Sequence, residues 1–159
     1  MEFGHFLVDT AAYIPAAVAL TDLDEKPALR RVAPQMHSIA EIVAHMAFWQ
    51  TWFLKRCRGV AEPPAAPASL GWPPVSAGQW DAIRQHFLDG AGQAAAFGSQ
   101  DGVQEKPLAP AIEFPPLARY TVRDALVHVA THNAHHLGQV ITLRQMMGMW
   151  PPPSGSWTW

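Results

Sequence analysis

Residues 121–148 read TVRDALVHVATHNAHHLGQVITLRQMMG, and this stretch decides the fold class. Successive residues of an α-helix turn by about 100°, and on that spacing the apolar residues here gather on one broad face. Thr121 and Asp124 form a loose capping box at the start of the stretch, and Gly148 ends it. The pattern predicts an amphipathic helix over about 121–147.

Three more segments show helical periodicity rather than the alternation of a β-strand. They cover about residues 2–20, 38–57 and 76–97. Capping boxes that begin at Ser38 and Ser76 mark the starts of the second and third segments. Pro15 is expected to kink the first helix, because proline lacks the N–H that would donate to the carbonyl of Ala11.

Proline separates these segments. Most of the fifteen prolines fall in three stretches, at 63–74, 107–116 and 151–153. Since proline is disfavoured inside helices, these stretches are connections. The pattern predicts an all-α four-helix bundle with long Pro-rich connections over residues 1–149, followed by a Trp/Pro-rich tail at 150–159. Because exposed tryptophans are costly, the tail is expected to fold over the bundle end, cover a site there, or dock on a second copy in a homodimer.

The composition excludes several classes of protein. The chain has 159 residues with a net charge of -2 and no basic stripe, which argues against a nucleic-acid partner. No apolar run is long enough to span a membrane, and the N-terminus lacks the basic region of a secretory signal. A single cysteine, Cys57, excludes an internal disulfide and a cysteine zinc motif. We therefore expect a cytoplasmic protein with neither a nucleic-acid nor a membrane partner.

Histidine is unusually frequent, with eight residues against eleven Lys and Arg together. His128, His132 and His136 follow one another at intervals of four residues on the apolar face of the last helix. Helix carbonyls already accept backbone bonds, so unpaired imidazoles buried there would cost about 1–3 kcal/mol per polar group. A shared cation removes that cost, which favours His132 and His136 as metal ligands. His135 is three residues from His132, so His132 and His135 are an alternative pair of ligands.

The second predicted helix contributes one more histidine, His45, on the flank of its apolar stripe. It can reach a facing helix at the usual spacing of about 8–10 Å. A lone histidine in this position is more often a core residue bonded to a backbone carbonyl, and both interpretations stay open for His45 and for His128. Trp49 and Trp52 are expected in the core or in a pocket wall, and Trp49 is the candidate cofactor contact.

Two motifs carry a family resemblance. SIAEIVAHM at 38–46 and HNAHHLGQV at 132–140 resemble the capped helix and the last helix of the DinB/YfiT-like superfamily. The resemblance implies a four-helix bundle that binds one divalent metal ion through three histidines, which by position are His45, His132 and His136. The chain departs from the family pattern by having Met36-His37 before the capping serine, where a tryptophan is frequent, and by the additional His135. Both His37 and His135 are expected at the surface.

Three neutral nitrogen ligands leave a metal ion its full charge and at least one open position, as in catalytic sites. Such an ion can lower the pKa of bound water to about 7 or hold a thiolate. The resemblance implies a thiol-dependent S-transferase or isomerase with a low-molecular-weight thiol as cofactor and a small molecule as substrate. Three nitrogen ligands suit Zn, Ni, Fe or Cu, and Zn, Ni or Fe is the expected ion. His128 and Gln139 are the candidate catalytic residues, acting on a proton or on a ligand ring.

Other functions remain open at this point. The family includes members without an assigned reaction, so a non-catalytic metal-binding or stress-related protein is the main alternative. A purely structural bundle with core histidines is another, and haem ligation is a remote one. Hydrolysis by metal-bound water is a related enzymatic hypothesis.

Overall fold

The computed structural model describes residues 4–8 and 14–156, and these residues form helices without any β-strand. The helices are α1 His5–Val8, α2 Ala16–Ala19, α3 Glu25–Leu29, α4 Ile39–Cys57, α5 Trp80–Gly98 and α6 Val122–Met146. Two short 3₁₀ segments, Ala68–Gly71 and Pro115–Leu117, lie in the two long connections. The predicted all-α fold is therefore confirmed. Of the described helices, none has the length and apolarity that crossing a membrane requires.

Capping boxes begin α4 and α6, the two helices that carry the candidate ligands His45, His132 and His136. The Ser38 hydroxyl accepts from the Glu41 amide at 3.2 Å, and the Glu41 carboxylate accepts from the Ser38 amide at 2.8 Å. Thr121 and Asp124 form the same pair of bonds at 3.2 and 2.8 Å. Each box satisfies amides that the first helical turn leaves unpaired. The predicted helices at about 38–57 and 121–147 are confirmed to within about one residue at each end.

The prediction of one kinked helix over about 2–20 was wrong. Ile14 and Pro15 are not helical, and Pro15 precedes the short α2 with φ -53° and ψ 139°. Proline disfavours helical conformation in the residue before it, so no continuous helix runs through Ile14 and Pro15. Residues 9–13, between α1 and α2, and residues 1–3 lie outside the described part of the chain.

The third helix was predicted to start at Ser76 but begins at Trp80. Gly78 has a φ of +83°, which is incompatible with a helical turn. The Gln79 side chain still accepts from the Ser76 amide at 2.8 Å, as a capping box requires, but the bond closes a turn ahead of the helix. The Gly78 amide instead donates to Glu25 at 2.7 Å and attaches this turn to α3.

The core has two hydrophobic clusters. One includes residues of α4 up to Ala47 and of α6 from Leu137 onward, together with Trp80 and Phe87 of α5. The other includes residues of α4 from Trp52 onward and of α6 up to Ala130. Between the two contributions of α6 lie residues 131–136, of which His132, Asn133 and His136 contact polar side chains of α4. The helix packing therefore leaves a polar layer in the middle of an apolar bundle.

The start of the C-terminal tail packs against the bundle. The Arg144 guanidinium lies 5.3 Å from the Trp150 ring centre and donates to the Ala19 carbonyl at 2.7 Å. The Ser154 amide donates to Asp22 at 3.2 Å. These contacts attach Trp150 to Arg144 of α6 and Ser154 to Asp22, three residues after the end of α2. The remaining tail residues, 157–159, lie outside the described residues, and the homodimer stays a prediction.

Candidate metal centre

The structure brings together the three histidines predicted as ligands. His45 comes from α4, and His132 and His136 come from successive turns of α6. Each offers a ring nitrogen, and the three nitrogens all lie within 4.8 Å of one another. His45 and His136 are each 7% exposed, and His132 is half-buried. This cluster has the composition of a three-histidine metal site.

His45 is oriented by the first Pro-rich connection. Its Nδ1 atom lies 2.7 Å from the carbonyl oxygen of Gly71, at the end of the first 3₁₀ segment. Because a carbonyl only accepts, Nδ1 carries the proton and Nε2 is left with a free lone pair. Trp72 stacks on the His45 ring at 3.8 Å, and His37 stacks on Trp72 at the same distance. His37 is exposed, as expected.

His136 is oriented within its own helix. Its Nδ1 atom lies 2.7 Å from Oε1 of Gln139, so the amide oxygen accepts and Nε2 is again free. Ligand histidines usually donate their other N–H to such a partner, which fixes the ring and raises its basicity. Gln139 is exposed and also lies 3.4 Å from His135 Nε2. Its place in the structure suits the ligand-orienting role predicted for it.

The spacing of the nitrogens fits a single ion. His132 Nε2 lies 3.2 Å from His45 Nε2. Two nitrogens bound to one tetrahedral zinc ion at about 2.0–2.1 Å are separated by about 3.3–3.4 Å, so this pair is already at coordination distance. His136 offers the third nitrogen, which lies within 4.8 Å of the other two. The donor set therefore fits a divalent transition metal.

Burial keeps these rings neutral, as metal ligation requires. Desolvation lowers the pKa of His132 to about 4, with smaller contributions from the neighbouring imidazoles. Desolvation is also the main cause that lowers the pKa of His45 and of His136. Among the described residues the cluster contains no carboxylate, and Glu41, one turn from His45, is bonded to Arg31 and the helix start. An ion bound here would keep its full charge.

An apolar cavity of about 450 Å³ lies next to His132. Its walls come from α4, from α6 and from both long connections, and most of them are aromatic or aliphatic. Trp49 and Trp52 are among the lining residues, as the sequence suggested. Since a histidine of the cluster lines the cavity, a molecule inside it would contact the candidate metal centre.

His128 lies one turn before His132 and also lines the cavity. Its ring packs on Phe53 with centres 4.6 Å apart, and its Nδ1 atom lies 3.1 Å from the Tyr120 hydroxyl. Burial lowers the pKa of His128. The structure therefore places this candidate outside the ligand cluster, in a polar pair at the cavity wall. The sequence analysis did not identify Tyr120.

A buried pair of amide side chains, Asn133 and Gln50, lies next to the three-histidine cluster. Asn133 Nδ2 donates to Gln50 Oε1 at 2.9 Å, and Gln50 Nε2 donates to the Phe87 carbonyl at 2.9 Å. Both side chains are almost fully buried. The pair ties α6 to α4 and α5 one residue from His132. The sequence analysis did not identify the roles of Gly71, Trp72, Gln50 and Asn133. For Asn133 a signal was present, because its amide directly follows the predicted ligand His132.

The fold and the cluster define a class, a helical bundle with three converging histidines that are compatible with metal binding. The model of the DinB superfamily matches residues 15–140, and the chain belongs to this superfamily. The match covers α4 and the part of α6 up to Val140, and therefore all three histidines. No curated protein and no solved structure matched the chain.

Proposed function

We propose that the protein binds one divalent transition-metal ion through Nε2 of His45, His132 and His136. The hydrogen bonds from the Nδ1 atoms of His45 and His136 are the observation that carries this proposal, because they leave both free lone pairs on the Nε2 side. Zn, Ni and Fe all suit three neutral nitrogen ligands.

The proposal extends to catalysis. The ion would supply positive charge that lowers the pKa of a bound water or thiol. The cavity beside His132 supports an enzyme, because it gives a small molecule access to the centre between mostly apolar walls. His128 at the cavity wall can hold or move a proton there, and its Nδ1 atom is paired with the Tyr120 hydroxyl.

A thiol in this reaction would come from outside the chain. Burial raises the pKa of Cys57 to about 11, so its thiol is protonated at neutral pH. Cys57 also lies at the end of α4, three turns from His45 along the helix. A low-molecular-weight thiol held as a thiolate, with transfer to or isomerisation of a small electrophile, is therefore the preferred form of the proposal, and activation of water is the other.

Elemental analysis of protein purified without added metal tests the first step. We expect about one ion per chain in the wild type and a large loss in His136→Ala, since two nitrogen ligands bind far more weakly. His135→Ala is the matched control, because His135 is adjacent, exposed and outside the cluster. Equal metal content in the wild type and in His136→Ala, with no effect of chelation on the thermal midpoint, would contradict metal binding.

The catalytic step is tested with the metal-loaded protein. A panel of low-molecular-weight thiols and electrophiles is assayed for conjugation or isomerisation, and ester substrates are assayed for hydrolysis. We expect turnover that disappears on chelation and in His136→Ala. Bound metal without turnover in either panel would contradict the catalytic function, and metal binding without catalysis would remain.

A further inference from the structure

The cavity beside His132 has a preformed frame. One buried guanidinium, that of Arg56, donates to the carbonyls of Val60, Glu62 and Pro110 and so attaches both long connections to α4. Trp52 Nε1 adds a bond of 2.8 Å to the Pro63 carbonyl. Both connections continue directly into cavity walls. The walls are therefore held in place by bonds between the described residues, independently of any ligand.

The polar side chains are unevenly distributed over the cavity walls. Aromatic and aliphatic side chains form most of the surface, and the polar side chains among the lining residues are His128, His132 and Glu113. Two of these three are on consecutive turns of α6, so the polar part of the cavity is concentrated on its α6 side. The cavity volume, about 450 Å³, lies within the usual range of about 300–1,000 Å³ for small-molecule sites.

We infer that this cavity binds the apolar, ring-bearing part of a small organic substrate, the size of one or two fused rings, with the polar reacting group directed at His132. The orientation follows from the distribution of polar groups, because an apolar ring on the α6 side would desolvate imidazoles without bonding them. Tryptophan and phenylalanine walls favour a flat ring through stacking and edge contacts. The orientation rests on the proposed function, whereas binding of the ring does not.

Binding of 2-naphthol, measured by calorimetry, tests the ring site. We expect saturable binding of one molecule per chain in both metal-loaded and chelator-treated protein. Ala65→Phe places a ring in the cavity from a loop, and we expect it to weaken binding at least ten-fold. Ala77→Phe is the matched control, since Ala77 is an exposed loop residue outside the cavity, and we expect a change below two-fold.

Leu117→Gln is a second variant, which keeps the ring site testable if Ala65→Phe does not fold. Leu117→Gln puts an amide into the cavity wall at a half-buried position, and we expect several-fold weaker binding with unchanged helical content. Absence of saturable 2-naphthol binding, or equal effects of Ala65→Phe and Ala77→Phe, would overturn the ring site. If the protein holds no metal and these results are still obtained, the proposed metal function fails and the ring site stands.

The orientation is tested with naphthalene-2-thiol. Its ring matches that of 2-naphthol, but its thiolate is a stronger ligand for a transition metal. We expect the thiol to bind at least ten-fold more tightly to metal-loaded than to chelator-treated protein, and the naphthol to show no such preference. An equal response of the two probes to metal loading would overturn the orientation.

Discussion

The Nδ1 atom of His45 lies 2.7 Å from the carbonyl oxygen of Gly71, and this bond joins the candidate metal centre to a loop 26 residues away along the chain. The same glycine lies against Trp49, since a Cβ atom at position 71 would be 2.6 Å from the indole nitrogen. Gly71 therefore sets two things at once, the orientation of a ligand ring and the position of a cavity wall.

Gly71→Ala should weaken metal binding. The added methyl group collides with the Trp49 ring, and relief of the collision moves either that ring or the carbonyl that holds His45. Loss of such an orienting bond typically lowers metal affinity by about 10–100-fold. Competition with a chelating dye measures the change. Gly92→Ala is the control, because a Cβ there meets nothing within 4 Å, and equal affinities of the two variants would refute this role for Gly71.

Gln139→Leu should also weaken metal binding, by about 10–100-fold, because His136 loses the acceptor that orients its ring. Gln139→Glu should restore affinity to the wild-type level or above it, since a carboxylate accepts the same bond more strongly. The dye competition assay applies here too. A Gln139→Leu protein with wild-type affinity would show that the bond has no part in ligation.

The metal-free protein should lose stability in acid because of its buried imidazoles. Burial lowers the pKa of His132 to about 4, whereas an imidazole in an unfolded chain titrates near about 6.5. Between these values the unfolded chain binds more protons, so the free energy of unfolding falls as the pH decreases from about 6.5 towards 4. Urea unfolding of chelator-treated protein at several pH values measures this.

His132→Gln provides the comparison for that measurement. Glutamine does not titrate, so the variant should show a smaller decrease of the urea midpoint between pH 6.5 and 4 than the wild type. Parallel pH profiles for the two proteins would mean that His132 does not contribute. Protons and metal compete for the same nitrogens, so bound metal should be released over the same acidic range.

Two glycines of α5 should respond to alanine in opposite directions. Gly92→Ala should raise the free energy of unfolding by about 0.5–1 kcal/mol, because alanine is the better helix former and the position is open. At Gly90 a Cβ would lie 2.3 Å from Gln50 Nε2, and moving that amide breaks its bonds to Phe87 and Asn133.

Gly90→Ala should therefore lower the free energy of unfolding, by about 1–3 kcal/mol for each buried polar group left unpaired. Urea unfolding of the pair at one pH gives both values. If Gly90→Ala is as stable as Gly92→Ala, the buried amide pair tolerates displacement, and its bonds to α5 and α6 do not stabilise the fold.

Local signals predicted α4 and α6 well, and a long-range contact contributes to the missed start of α5. The capping boxes at Ser38 and Thr121 act within one turn, so they are visible in the sequence. The true start of α5 depends on the positive φ of Gly78 and on its amide bond to Glu25, 53 residues away. No local pattern encodes a contact of that length.

The sequence by itself determined that His132 and His136 share one helix face, whereas His45 joined them only through the family resemblance. A spacing of four residues puts His132 and His136 on one helix face, and helix periodicity is a local property of the chain. Only the tertiary structure decided which ring nitrogens face inward, through the Gly71 carbonyl, and that an apolar cavity lies beside His132. Those features depend on how two Pro-rich connections are attached to α4, and contacts between distant segments are established only when the chain packs.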